Sequence, residues 1–183
     1  WPFYLICAGL PTLPATLSAA RSYAERLFDY RSIGPLSREA AGHALSRPAK
    51  EVGAAFEPEA LDALVSATGG YPYFIQEFGQ AVWEVAPSTP FTAEDAELAI
   101  QRGWAQLDAG FFPARWGRAT GRERQYMSAM AQDGDGPSRT GGLAARLGVT
   151  TSTLGPTRAQ LLHKGMIYAP EHGKVAFTVP GMA

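Results

Sequence analysis

The chain has 183 residues, 46% hydrophobic and 18% charged, with a formal net charge of −1, a composition that belongs to folded chains and excludes a disordered one. It carries no run of about 18 apolar residues and no basic, apolar leader ending in small residues, so neither a membrane span nor secretion is expected, and a cytoplasmic address follows by default. Cys7 is the single cysteine, and His43, His163 and His172 stand at no ligand spacing, so an internal disulfide, a metal site and metal catalysis are not expected. Nor does any nucleophile elbow surround the serines.

Phe3-Tyr4-Leu5-Ile6-Cys7-Ala8-Gly9-Leu10 is an apolar run of the length of a strand buried on both faces, as in a parallel sheet, with Cys7 as a small buried hydrophobe. Leu13 to Glu25 reads as a helix started by Thr12 and Pro14, and Tyr23-Ala24-Glu25-Arg26-Leu27-Phe28-Asp29-Tyr30 leads into a second strand. Ser37 caps a further helix. From Glu57 to Thr68, Pro58 takes the first helical position, acids fill the first turn, and Leu61, Leu64, Val65 and Thr68 share a face. Gly69 and Gly70 stop that helix, and Pro72 starts another with Phe74, Ile75, Phe78 and Val82 inward and Trp83 beside them.

Pro87 and Pro90 break these helices, after which Thr92-Ala93-Glu94-Asp95 resembles a capping box with Asp for Glu. A long helix follows with Ala96, Ala99, Ile100, Leu107 and Phe111 inward. Pro113 and Gly117 should end it, and the domain linker is placed there. The charge changes at the same point: residues 1–114 hold 7 basic and 13 acidic side chains, residues 115–183 hold 9 and 4. The C-terminal third is the basic part.

Thr120-Gly121-Arg122-Glu123 is a full capping box, and its helix turns Tyr126, Met127, Met130 and Ala131 inward. Asp133 to Pro137 is a turn. A short helix from Thr140 to Leu147 ends at Gly148, and a Ser/Thr-capped helix follows with Leu154, Leu161 and Leu162 as core residues. Pro156 requires that helix to start late or be short, since proline fits only a first turn. After Gly165, Met166-Ile167-Tyr168 and Lys174-Val175-Ala176-Phe177-Thr178-Val179 flank a hairpin loop.

Across Thr120 to Pro180 this order resembles a winged-helix domain. The resemblance implies double-stranded DNA as a partner, with the third helix in the major groove and the hairpin wing along the backbone. Thr151, Ser152, Thr153, Thr157, Arg158 and Gln160 then lie on or near the groove-facing side, with Arg158 and Gln160 able to read base edges. Arg139, Lys164, His172 and Lys174 become phosphate contacts. Winged helices also dock proteins, and the residues alone leave that alternative open.

Gly70-Tyr71-Pro72 resembles the GxP element of the helical lid in STAND and related AAA+ type ATPases, where that helix start lies over the adenine. From spacing alone the same residues make an ordinary helical hairpin. The order strand, helix, strand, lid resembles the end of an AAA+ nucleotide-binding domain, and Arg26 matches the position of an arginine finger; the other reading of Arg26 is a surface arginine paired with Glu25 or Asp29. The family's sensor strand ends in a polar residue, whereas this one ends in Ala8-Gly9-Leu10, with Thr12 the first polar candidate.

The whole chain is therefore similar in layout to the C-terminal half of a prokaryotic AAA+/STAND P-loop ATPase, as in archaeal replication initiators. The fold class implied is mainly α: a β remnant of the nucleotide-binding domain (1–34), a helical lid-like domain (35–112) and a winged helix (113–183). Neither the Walker A pattern nor an acidic Walker B strand is in the sequence, so this polypeptide alone is not expected to hydrolyse ATP. ATP and Mg would belong to the intact protein, and self-association to its missing ATPase domain. The start at Trp1, without Met and close to a core strand, points to a fragment. The rival readings are a complete, non-enzymatic winged-helix regulator and a winged-helix protein-docking scaffold.

Overall fold

A computed structural model describes residues 3–10, 13–31 and 33–183, the side chains of Ala15, Ala24 and Glu25 excepted. It is mainly helical, and it divides into two compact units: Gly34–Arg118, and Ala119–Ala183 together with the N-terminal segment up to Ile33.

The first unit is built from α2 (Arg38–Glu51), α3 (Pro58–Thr68), α4 (Pro72–Val85) and α5 (Ala93–Gln106), with α1 (Leu13–Ala20) belonging to the N-terminal segment. Local chemistry sets each start. The Ser37 hydroxyl accepts from the Ala40 N–H, Pro58 and Pro72 stand in the first turns of α3 and α4, and Thr92 with Asp95 closes a full capping box. Leu64, Phe74, Ile75, Phe78, Val82, Ala96, Ala99 and Leu107 form the core. At Gly103 a Cβ would run into the Phe78 ring, so glycine sets how closely α5 approaches α4.

The helix from Ala93 does not end at Pro113. It passes through a π turn, Leu107–Phe111, into α6 (Phe112–Gly117), and the Phe112 N–H bonds to the carbonyl of Leu107. The wider turn spaces the backbone so that Pro113, with no N–H to donate and a ring that would clash in a regular helix, follows without a break. The unit boundary accordingly falls after Arg118.

The expected N-terminal strands are absent. Phe3 to Leu10 is non-helical and exposed, with Phe3 at 87% and Ile6 at 94%, and Cys7 is exposed as well. A strand buried on both faces needs neighbours on both edges, and no strand of the described residues lies beside this one. The helix expected to reach Glu25 ends at Ala20, and a 3-10 turn, Ala24–Leu27, replaces the start of the second strand. Thr12 lies outside the described residues.

The second unit contains α7 (Gly121–Ala131), β1 (Ser138–Arg139), α8 (Thr140–Arg146), α9 (Thr151–His163), β2 (Ile167–Tyr168) and β3 (Lys174–Phe177). The sheet order is β1-β3-β2, with both neighbours antiparallel to β3. That sequence of elements and that strand order are those of a winged helix. Its core gathers Tyr126, Met127 and Met130 from α7, Leu143 from α8, Leu154 and Leu161 from α9, and Ile167, Val175 and Phe177 from the sheet. Pro156 sits inside α9, not in its first turn. A proline clashes with the N–H and the Cβ of the residue before it, and at Gly155 the Cβ part of that clash is missing.

Candidate nucleic-acid interface

The helix pair that would face a duplex is held by short-range bonds. The Val149 N–H donates to the Ala144 carbonyl (3.0 Å) and the Gly148 N–H to that of Ala145 (3.2 Å), while Gly148 takes a left-handed φ of 66° that glycine alone adopts without strain. Thr150 then caps α9: its Oγ1 accepts from the Thr153 N–H (3.3 Å) and lies 2.8 Å from Ser152 Oγ and 2.9 Å from Thr153 Oγ1. Thr151, Ser152, Thr153, Ala159, Gln160 and His163 are exposed.

Arg158 and Gln160 part company. Gln160 is exposed, whereas Arg158 is half-buried on the side of Tyr126. Tyr126 is fully buried; burial raises the pKa of its phenol, and the positive charge of Arg158 works in the opposite direction. Thr157 is half-buried too. Arg158 stands four positions after buried Leu154 and three before buried Leu161, so the residue expected to read bases lies on the inner side of α9.

The cations also separate. Lys164 is not a spare phosphate contact: its Nζ lies 2.7 Å from Oε2 of Glu123, whose side chain is 4% exposed and also accepts from the Thr120 N–H at 2.6 Å. Burial pushes the Glu123 pKa up, but the bonds from Lys164 and Thr120 outweigh it and leave the carboxyl below its ordinary 4.5. Arg146 is likewise engaged, forking onto Asp133 (2.7 Å and 3.2 Å) and the Ala129 carbonyl, and it holds the Asp133 pKa down.

The wing keeps its charge. Arg139 on β1 pairs directly opposite Lys174 on β3, the Thr140 N–H donates to the Gly173 carbonyl (2.9 Å), and exposed His172 lies in the loop between β2 and β3. Lys174 meets Glu171 at 3.0 Å on an exposed surface, a pairing weak enough for a phosphate to displace. Between Asp135 and Glu171, across β1, α8, α9 and β2, the chain carries no acidic residue.

The Gly70-Tyr71-Pro72 corner lies in the helical unit. Gly69 and Gly70 have φ of 56° and 73°, the Gly70 carbonyl accepts from the Leu36 N–H (2.8 Å), and a Cβ on Gly70 would overlap the Leu36 carbonyl oxygen. Tyr71 is half-buried with its ring edge-on to Phe74 (4.9 Å), and Pro72 is exposed. Beside it, Tyr73 stacks on Phe111 at 4.8 Å and Arg115 lies 4.6 Å over the same ring. Sequence reasoning missed this stack because the π turn that presents Phe111 has no sequence period. Arg26 is exposed at the end of the 3-10 turn, in the other unit, and Asp29 pairs with Arg31 at 2.7 Å. Of its two expected partners, the Glu25 side chain lies outside those described.

An open groove of about 580 Å³ between α2 and α3 is lined by Arg38, Gly42, His43, Leu61, Asp62 and Val65. Its arginine pairs with Asp62 and also donates to the Ser66 hydroxyl (3.1 Å). Among the described residues no group of three or more His, Cys, Asp or Glu could hold a metal ion, and no helix is long and apolar enough to cross a membrane.

Residues 109–183 match a family described as a domain of unknown function (DUF8462). No curated protein matches the chain. Solved structures of RuvB from Thermotoga maritima are similar over 79% of this chain: a lysine-to-arginine mutant at 16% identity and a TM-score of 0.39, and the protein described as a Holliday junction branch migration motor at 17% and 0.38. The chain spans 47% of the length of those structures.

Proposed function

We propose that the C-terminal unit binds double-stranded DNA, with α9 against the major groove and the wing along the phosphate backbone. The observation that carries this reading is the acid-free stretch from Gly136 to Pro170, which covers β1, α8, α9 and β2 and ends at Glu171 in the loop before β3. A polyanion meets no repelling carboxylate there, and Arg139 and Lys174 are brought side by side by the sheet register. The chain as a whole is read as the lid and winged-helix portion of an ATP-binding regulatory ATPase of the AAA+ kind, in which nucleotide state is coupled to DNA binding. Tyr71 and Pro72, presented at the start of α4, are the groups assigned to adenine or ribose, and Arg26 to phosphate sensing.

Fluorescence anisotropy with a labelled duplex tests the DNA reading. With roughly two to four phosphates neutralised, the slope of log K against log salt is about −1.8 to −3.6, so binding weakens roughly 12- to 150-fold between 50 and 200 mM salt. A salt-independent response, or no binding at 50 mM, rejects it and favours protein docking. In the intact protein, Tyr71→Ala weakens ATP binding if the corner serves the nucleotide, and an unchanged ATP affinity removes that assignment.

A further inference from the structure

We propose that this chain grips duplex DNA without reading its sequence, an inference that rests on the duplex-binding reading above. Counted at 3.6 residues per turn, Ser152, Pro156, Ala159 and His163 run down the side of α9 opposite the buried Leu154 and Leu161. All four are exposed.

Sequence is read in the major groove by side chains that set donors and acceptors against base edges, chiefly Arg, Lys, Asn and Gln. The middle of this ridge offers none. Pro156 and Ala159, with Gly155 on their flank, have no polar side-chain atom, and at the N-terminal end the hydroxyls of Ser152 and Thr153 lie 2.8 Å and 2.9 Å from Thr150 Oγ1. Arg158, the strongest reader type in the helix, is half-buried and stands four positions after buried Leu154 and three before buried Leu161, on the side away from this ridge. Gln160 and His163 remain, near the C-terminal end. Small side chains let the helix lie close in the groove, where shape and not base identity is sensed, while Arg139 and Lys174 hold phosphates, which positions the duplex without discriminating it.

The test uses the full chain. A random-sequence duplex library is carried through rounds of selection, and Kd is measured for three unrelated duplexes at 50 mM salt. The expected result is no enriched motif and Kd values within about threefold of one another. Ala159→Arg, with its fold checked by circular dichroism, introduces a reader on the ridge and is expected to tighten binding and acquire a preference for guanine-containing sites. A motif of several base pairs that disappears in Gln160→Ala or Arg158→Ala overturns the proposal, and so does an Ala159→Arg chain that binds no tighter, because α9 then lies outside the groove. Failure to retain any duplex defeats the duplex-binding reading itself, a result distinct from the appearance of a motif.

Discussion

Replacing Lys164 by Met leaves the Glu123 carboxylate buried with only its capping bonds. The lost contact is a 2.7 Å bond between an ammonium and a carboxylate that is 4% exposed, and a bond to a charged group is worth about 1.5–3 kcal/mol. Taking about 2 kcal/mol at pH 7, and about 4–8 °C per kcal/mol for a unit of this size, the midpoint of the C-terminal unit falls by about 8–16 °C. The pH dependence has a definite sign. Because Glu123 is held below its ordinary 4.5 in the folded chain, its ionised form stabilises at pH values above that, and the contribution fades as pH falls through the depressed value. The deficit of the Met variant is therefore largest near pH 7 and shrinks as pH falls below the ordinary carboxylate range. Hydrogen exchange of peptides from α7 and α9, followed through thermal unfolding of the full chain, reads it locally. Glu123→Gln combined with Lys164→Met should cost less than the sum of the single changes, since the orphaned charge is gone. A Lys164→Met chain that melts within about 2 °C of the original at pH 7, or whose deficit does not shrink as the pH is lowered into the acid range, would refute the pairing.

Gly70→Ala forces a Cβ onto the Leu36 carbonyl at a left-handed φ of 73°, and urea unfolding of the helical unit should register a loss of about 2–4 kcal/mol. Gly103→Ala meets the Phe78 ring instead, with about 1–3 kcal/mol lost by the same measurement. Pro156→Ala restores an N–H inside α9 and should raise stability by about 1–3 kcal/mol, with slower exchange in the second turn of that helix. Arg139→Ala with Lys174→Ala removes two cations from the wing and should reduce the salt slope of duplex binding by about 2 while the melting temperature stays unchanged.

What the sequence made legible is what short-range chemistry decides. Ser37, Thr92 and Thr120 cap helices where their spacing to Ala40, Asp95 and Glu123 requires, and Gly69, Gly148 and Gly165 end helices in the left-handed conformation. The winged-helix order followed from such signals. Features that depend on distant partners were not legible. Glu123 and Lys164 are 41 positions apart, so a capping-box acid and a helix-end lysine give no sign in the sequence of being one ion pair. Arg158 has the chemistry of a base reader, but it stands four positions after Leu154 and three before Leu161, so the helix period alone puts it on the inner side of α9. The two prolines misled for a local reason: a π turn before Pro113 and a glycine before Pro156 let the helices continue. Phe3 to Leu10 has the composition of a buried strand, but composition cannot supply the neighbouring strands.

The most direct test of duplex binding through α9 is photo-crosslinking from the exposed ridge. A chain carrying a benzophenone side chain at position 159 should capture a labelled duplex at 50 mM salt, with capture lost at high salt, while the same group at position 83, on exposed Trp83 of the helical unit, should not. Equal capture from both positions, or none from position 159, would contradict the account.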